Sequence, residues 1–162
     1  GKLKQGDVVC GGTRLGRPCP SGAFSVGGKN RLVFTLGRDD RPADLALLQS
    51  GKGPRVLTDL NSDLMGQREM ARVERMTWAS SHDGLEIEGW IMKPPGFDPE
   101  KTYPMILEIH GGPHSAYGPN YSTEAQLYAA AGYVVFYTNP RGSTSYSHLC
   151  RAWVLHLSHP HL

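Results

Sequence analysis

The stretch that most constrains how this chain folds runs from Tyr103 to Ser143. An apolar run, Met105-Ile106-Leu107-Glu108-Ile109, breaks into His110-Gly111-Gly112-Pro113. After a loop and a helical segment, a second apolar run, Tyr133-Val134-Val135-Phe136-Tyr137, leads into Asn139-Pro140-Arg141-Gly142-Ser143. Short runs apolar on both faces suit strands covered by helices on both sides, and a strand, helix and strand in succession form a parallel pair with a right-handed crossover. Two glycines directly after a strand let the backbone approach a reacting group and turn N–H groups toward it, as an oxyanion hole requires.

The helix in that unit carries its own boundaries. Thr123 and Gln126 are spaced as an N-cap with its reciprocal partner, Glu124 sits where the helix dipole favours an acid, Ala125 to Ala131 propagates the helix, and Gly132 ends it. Upstream, Val73 to Trp78 and Leu85 to Met92 flank Ser80-Ser81-His82-Asp83-Gly84, whose Asp-Gly pair supplies the positive φ values of a tight hairpin. Leu85, Ile87, Gly89 and Ile91 alternate with Glu86, Glu88, Trp90 and Met92, so one face is expected buried and the other mostly wet. Three prolines between Lys93 and Pro99 stop the sheet.

Before the hairpin, Asn61 to Arg72 is polar and mixed and reads as a link between domains, with Asn61-Ser62-Asp63 able to start a short helix. Further upstream the pattern is a meander. Leu32-Val33-Phe34-Thr35, Asp44 to Leu48 and Arg55 to Thr58 are strand candidates separated by turns, in the manner of one propeller blade, although Leu45 to Leu48 also fits a helical turn. The first 28 residues read as glycine- and proline-rich loops around a short strand near Asp7 to Cys10. Ala23-Phe24-Ser25-Val26-Gly27 approximates a nucleophile elbow but lacks the strand before it and the helix after it, so Ser25 is read as a serine in a turn.

Composition excludes some classes. With 39% apolar residues and a net charge of +2, nothing points to disorder, and no nucleic-acid partner is expected. No apolar run approaches the roughly 20 residues that span a bilayer, so no membrane partner is expected. The start Gly1-Lys2-Leu3-Lys4-Gln5-Gly6 has no signal-like core, but it is not a methionine start, which leaves the compartment open between cytoplasmic and, with a leader missing, periplasmic or secreted. Cys10, Cys19 and Cys150 lack metal or redox spacing and read as thiols, with a Cys10–Cys19 bridge as the alternative. His156, His159 and His161 lie in a tail without Asp or Glu, and no metal and no cofactor is expected.

Tyr103 to Pro113, followed by Ala131-Gly132-Tyr133-Val134-Val135 and Asn139-Pro140-Arg141-Gly142-Ser143-Thr144-Ser145-Tyr146, closely resembles the prolyl oligopeptidase family of serine peptidases, nearest its acylaminoacyl-peptidase and dipeptidyl-peptidase branch. The resemblance covers Arg31 to Tyr146 and implies an α/β fold. Residues 1–60 would be the end of a β-propeller, 61–72 a linker, 73–146 the N-terminal portion of an α/β-hydrolase peptidase domain, and 147–162 an atypical tail, an incomplete fold in all.

It also implies that His110, Gly111 and Gly112 form the oxyanion-hole loop and that Pro113 holds its shape. The bland alternative is a capped strand end and a tight turn. Arg141 is a candidate to hold the loop through a carboxylate or carbonyl, Tyr117 and Tyr121 are candidate substrate contacts or plain packing, and Glu108 in a buried strand needs a partner. No Gly-x-Ser-x-Gly follows, so the Ser-His-Asp triad is expected outside this chain. Past Tyr146 the sequence departs from the family's pattern, as a changed reading frame or a misassigned gene end would make it. The expected function is that of a fragment of a peptidase that removes dipeptides or acylated residues from short peptides, inactive alone. The alternatives are a non-catalytic interaction module that self-associates through an exposed sheet edge, and a fragment of an esterase.

Overall fold

A computed structural model of the chain describes residues 22–28, 30–111 and 115–145. Branched and aromatic runs between turn-forming clusters build a first sheet from β1 (Phe24–Gly27), β2 (Arg31–Leu36), β3 (Asp44–Gln49) and β4 (Arg55–Val56). The strands pair in chain order, antiparallel throughout. Leu45 pairs with Thr35 and Leu48 with Leu32, so this segment is a strand and not a helical turn. Ser25 lies opposite Val33 in the exposed edge strand β1 rather than in a turn, which follows at Asn30 with its φ of 54°. Phe34 and Ala46 are buried beneath this sheet. The buried carboxylate of Asp44 accepts hydrogen bonds from Thr58 Oγ1 at 2.8 Å and Leu60 N at 3.1 Å.

A short helix, α1 (Ser62–Met65), leads to the second sheet, which contains β5 (Val73–Ala79), β6 (Glu86–Met92), β7 (Met105–Glu108) and β8 (Val134–Asn139). Its strand order is β5-β6-β8-β7. β8, last in sequence, lies between β6, to which it is antiparallel, and β7, to which it is parallel. α2 (Thr123–Ala130) forms the crossover from β7 to β8, as the apolar runs predict. Its small residues Ala125 and Ala129 let it sit close to Val135 and Tyr137 in a core that also holds Trp90, Met92 and Tyr117.

Several local expectations shift. The cap of α2 is Ser122, not Thr123: Ser122 is extended (φ −132°, ψ 114°) and its Oγ accepts from Ala125 N at 3.2 Å, which frees Gln126 for another task. The far end is as expected, since Gly132 with φ of 91° closes the helix, its N–H donating to Ala129 O while Tyr133 N–H donates to Tyr128 O. In the β5–β6 hairpin only Gly84 takes positive φ, because the connection is a six-residue loop and not a two-residue turn. The deeply buried face of β6 is the one with Trp90 and Met92, since an indole and a thioether fill the space against Tyr137, while Glu88 at the end of that face pairs with Arg75. β7 is an edge strand covered on one face only: Met105, Leu107 and Ile109 are exposed, with no helix over them among the described residues.

The two sheets meet through two loops. The Arg38–Arg41 turn of the first sheet accepts Tyr121 N–H at Arg38 O (2.6 Å) and faces Gln126 Nε2 at Asp39 O (3.5 Å). Gln126 also pairs with both backbone groups of Ala71, just before β5. No helix among the described residues is long and apolar enough to cross a membrane.

Candidate functional site

Because β7 and β8 are parallel, the residues that follow them, Ile109 to Gly111 and Pro140 to Ser143, leave the sheet on the same edge. The β5–β6 loop, Ser80 to Leu85, reaches that edge too, since β6 starts opposite the end of β8, with Glu88 facing Asn139. In open α/β sheets ligands bind at the carboxyl ends of the strands. Here three loops gather at that end, and three side-chain contacts join them.

The first contact holds His110. Its Nδ1 lies 2.9 Å from Gly111 O and its Nε2 lies 2.8 Å from Ser143 Oγ, which is itself 2.7 Å from Pro140 O. The Ser143 hydroxyl thus has one proton and two acceptors in reach. A neutral imidazole protonated at Nδ1 satisfies both ring contacts when that proton turns to Nε2. Ser143 is only 1% exposed, so this serine–histidine pair joins two loops rather than presenting a nucleophile.

The second contact is made by Asn139, which is fully buried: its Oδ1 accepts from Tyr117 N at 2.7 Å and its Nδ2 donates to Tyr117 O at 3.0 Å. Between these two anchors Thr144 N donates to Ser115 O at 2.9 Å. In the third, Arg141 Nη2 donates to Asp83 Oδ1 at 2.6 Å, which brings in the hairpin loop. Arg141 therefore pairs with a carboxylate of a neighbouring loop, and the hydrogen bond from Leu85 N–H, followed by that from Arg141, holds the Asp83 carboxyl below the usual range. The turn itself is type II: Ser143 N donates to Pro140 O at 3.1 Å, and Gly142 takes φ of 91° at the third position, where a side chain would be strained.

Tyr117 is 2% exposed and stands edge-on between His110 and Tyr137, at centroid distances of 5.1 and 5.5 Å. Its hydroxyl donates to Glu108 Oε1 at 3.3 Å, a partner for the strand carboxylate that the sequence leaves unnamed. Tyr121, also buried, lines a groove of about 550 Å³ with Leu64, Met65, Arg68, Gln126 and Leu127. Burial raises the pKa of the Tyr137 phenol. Among the described residues, no cluster of three or more side chains able to hold a metal ion occurs.

Gly111 is described and has open space where a Cβ would stand. Gly112 and Pro113 lie outside the described residues, as do Cys10, Cys19, Cys150, the tail 147–162 with His156, His159 and His161, and the strand expected near Asp7. The sequence reading missed Asn139, Ser143 and Gln126 as contacts. The run Asn139 to Ser143 carried the family resemblance, but nothing in it says which main-chain groups those side chains meet.

An antiparallel four-stranded meander joined to a mixed sheet with a β-α-β crossover and a glycine loop at its carboxyl edge defines a chain of the α/β-hydrolase and β-propeller class. No family model matches the chain. A Bacillus subtilis protein named as an uncharacterized peptidase, YuxL, is 38% identical over 118 residues, 73% of this chain and 18% of its own length. A dipeptidyl-peptidase 5 of Arthroderma otae is 48% identical over 63 residues, 38% of this chain and 9% of its own. Among solved structures, the acylaminoacyl peptidase of Pyrococcus horikoshii superposes with a TM-score of 0.70 at 33% identity, covering 82% of this chain and 20% of that one. The chain is homologous to peptidases of the prolyl oligopeptidase family, to which these relatives and structural neighbours belong. It spans about a fifth or less of the length of these relatives.

Proposed function

We propose that this chain is part of a serine peptidase that cleaves short peptides, removing dipeptides or acylated residues, and that His110, Gly111 and Gly112 form the loop whose backbone N–H groups receive the developing oxyanion. In this reading residues 1–60 end a β-propeller, 61–72 link the domains, and 73–146 open the peptidase sheet, an α/β-hydrolase fold that this chain leaves incomplete. Tyr117 stands edge-on to His110, and Tyr121 lines the groove between α1 and α2. The serine, histidine and aspartate that form and resolve the acyl-enzyme lie outside this chain. The observation that carries the reading is the position of the glycine loop: it follows β7 directly, at the carboxyl end of a parallel pair, and is tied to the loop that follows β8. An oxyanion donor there contributes on the order of 10²- to 10³-fold in rate when paired with a nucleophile, and nothing without one.

The 162-residue chain, incubated with chromogenic dipeptide and acyl-amino-acid anilides, is expected to release no chromophore. Turnover that a fluorophosphonate abolishes would overturn the placement of the triad.

A further inference from the structure

We infer that Asn139 and Ser143 are positioning residues for the oxyanion loop, holding His110 at its start and Tyr117 at its end from the neighbouring strand; the inference rests on the function proposed above. Asn139 ends β8 fully buried, and its carboxamide meets both backbone groups of Tyr117, accepting from the N–H at 2.7 Å and donating to the C=O at 3.0 Å. A side chain that pairs with both groups of one residue acts as a one-residue strand partner. It sets the rotation of that peptide as well as its distance. Only an amide of this length supplies an acceptor and a donor side by side. Aspartate would turn a lone pair toward Tyr117 O, and leucine would leave both backbone groups bare in a buried place.

Ser143 does the corresponding work at the other end of the loop. It stands 2.8 Å from His110 Nε2, and the Thr144–Ser115 backbone bond lies between the two anchors. The glycine loop is thus held at its start, near its end and at its last residue, all from the segment Asn139 to Thr144. That segment is itself rigid through the type II turn at Gly142 and the Arg141–Asp83 ion pair. Burying a whole carboxamide and a hydroxyl only to close a strand end is a costly arrangement. Fixing both ends of a loop that is to serve a transient oxygen is a function that needs it, because a misplacement of about 1 Å costs on the order of 10²-fold in rate.

The test uses the full-length peptidase that carries this segment, with anilide substrates and their thioamide counterparts, and active sites titrated by a fluorophosphonate. In the unsubstituted enzyme the thioamide is expected to react far more slowly, since sulfur fits an oxyanion hole poorly. For Asn139→Asp and Ser143→Ala, kcat per titrated site is expected to fall about tenfold or more while KM stays within about twofold, the mark of an interaction made in the transition state. The oxygen-to-sulfur rate ratio is expected to shrink with it, a readout that loss of folded protein would not move. If kcat per site and the rate ratio are unchanged in both variants, the positioning inference is overturned and the oxyanion reading stands. If the unsubstituted enzyme shows no preference for oxygen, the oxyanion reading is overturned and the inference with it. Should Asn139→Asp fail to fold, Ser143→Ala carries the same decision.

Discussion

The side-chain amide of Gln126 pairs with the backbone of Ala71 on both sides, Oε1 accepting from the N–H at 3.0 Å and Nε2 donating to the C=O at 2.9 Å, across a separation of 55 residues. Gln126 is 8% exposed, so these groups have little water to fall back on. Gln126→Glu keeps the acceptor but turns a carboxylate oxygen toward Ala71 O and Asp39 O. It is expected to lower stability by about 1–3 kcal/mol, the cost of leaving a buried polar group unsatisfied. A shift of the urea midpoint without a change in slope would show this; an unchanged midpoint would mean that the segment before β5 does not depend on the clamp.

Gly89 sits where β6 crosses β8, and a Cβ there would stand 3.0 Å from Trp78 Cη2 and from Tyr137 O. Gly89→Ala is therefore expected to destabilise the second sheet by about 1–3 kcal/mol, as overpacking does. Pairing it with Trp78→Leu removes the indole but not the Tyr137 carbonyl. The double variant should recover part of the loss, and strictly additive thermal shifts would contradict this geometry.

Gly142 takes φ of 91° in the turn that carries Arg141 and Ser143. Gly142→Ala is expected to cost about 1–2 kcal/mol from the left-handed backbone conformation alone. Hydrogen exchange would locate the effect: amides of Ser143 and Thr144 should lose protection while those of β6 keep theirs. Uniform loss across the sheet would contradict a local turn effect.

The Asp83–Arg141 pair predicts a pH dependence. The carboxyl is held below its ordinary value of 3.8 in the folded chain, so the pair contributes stability above that value, and the contribution is lost as pH falls through the lower folded value. Asp83→Asn should therefore unfold more easily than the parent at pH 7, and the difference should close in acid. Both residues are partly exposed, so the difference at pH 7 should also shrink in high salt. A gap that persists unchanged at low pH would contradict the assignment.

Much of the fold was legible because it depends on local patterns. The two apolar runs with a helix between them specify β7, α2 and β8, and Gly132 marks the end of α2 by backbone sterics alone. The exchange of Thr123 for Ser122 as the cap was not legible, since Gln126 reads as a capping partner until Ala71 is seen beside it. Which face of β6 is buried deeper was not legible for a similar reason: alternation says that two faces differ, and only the neighbours Tyr137 and Trp78 decide which is deeper. At the candidate site the glycine loop was visible as a motif. Asn139 and Ser143 were not, because their partners are main-chain atoms of another loop, and main-chain atoms leave no letter in a sequence.

The placement of β8 governs the order in which the second sheet can be built. The β5–β6 hairpin closes from residues near one another in the chain, but β7 has no strand beside it among the described residues until β8 slides between it and β6. Assembly of the described part of this sheet is thus gated by β8. A chain cut before Val134 would hold a lone hairpin and a stranded β7, two stretches of backbone with nothing to zip them together.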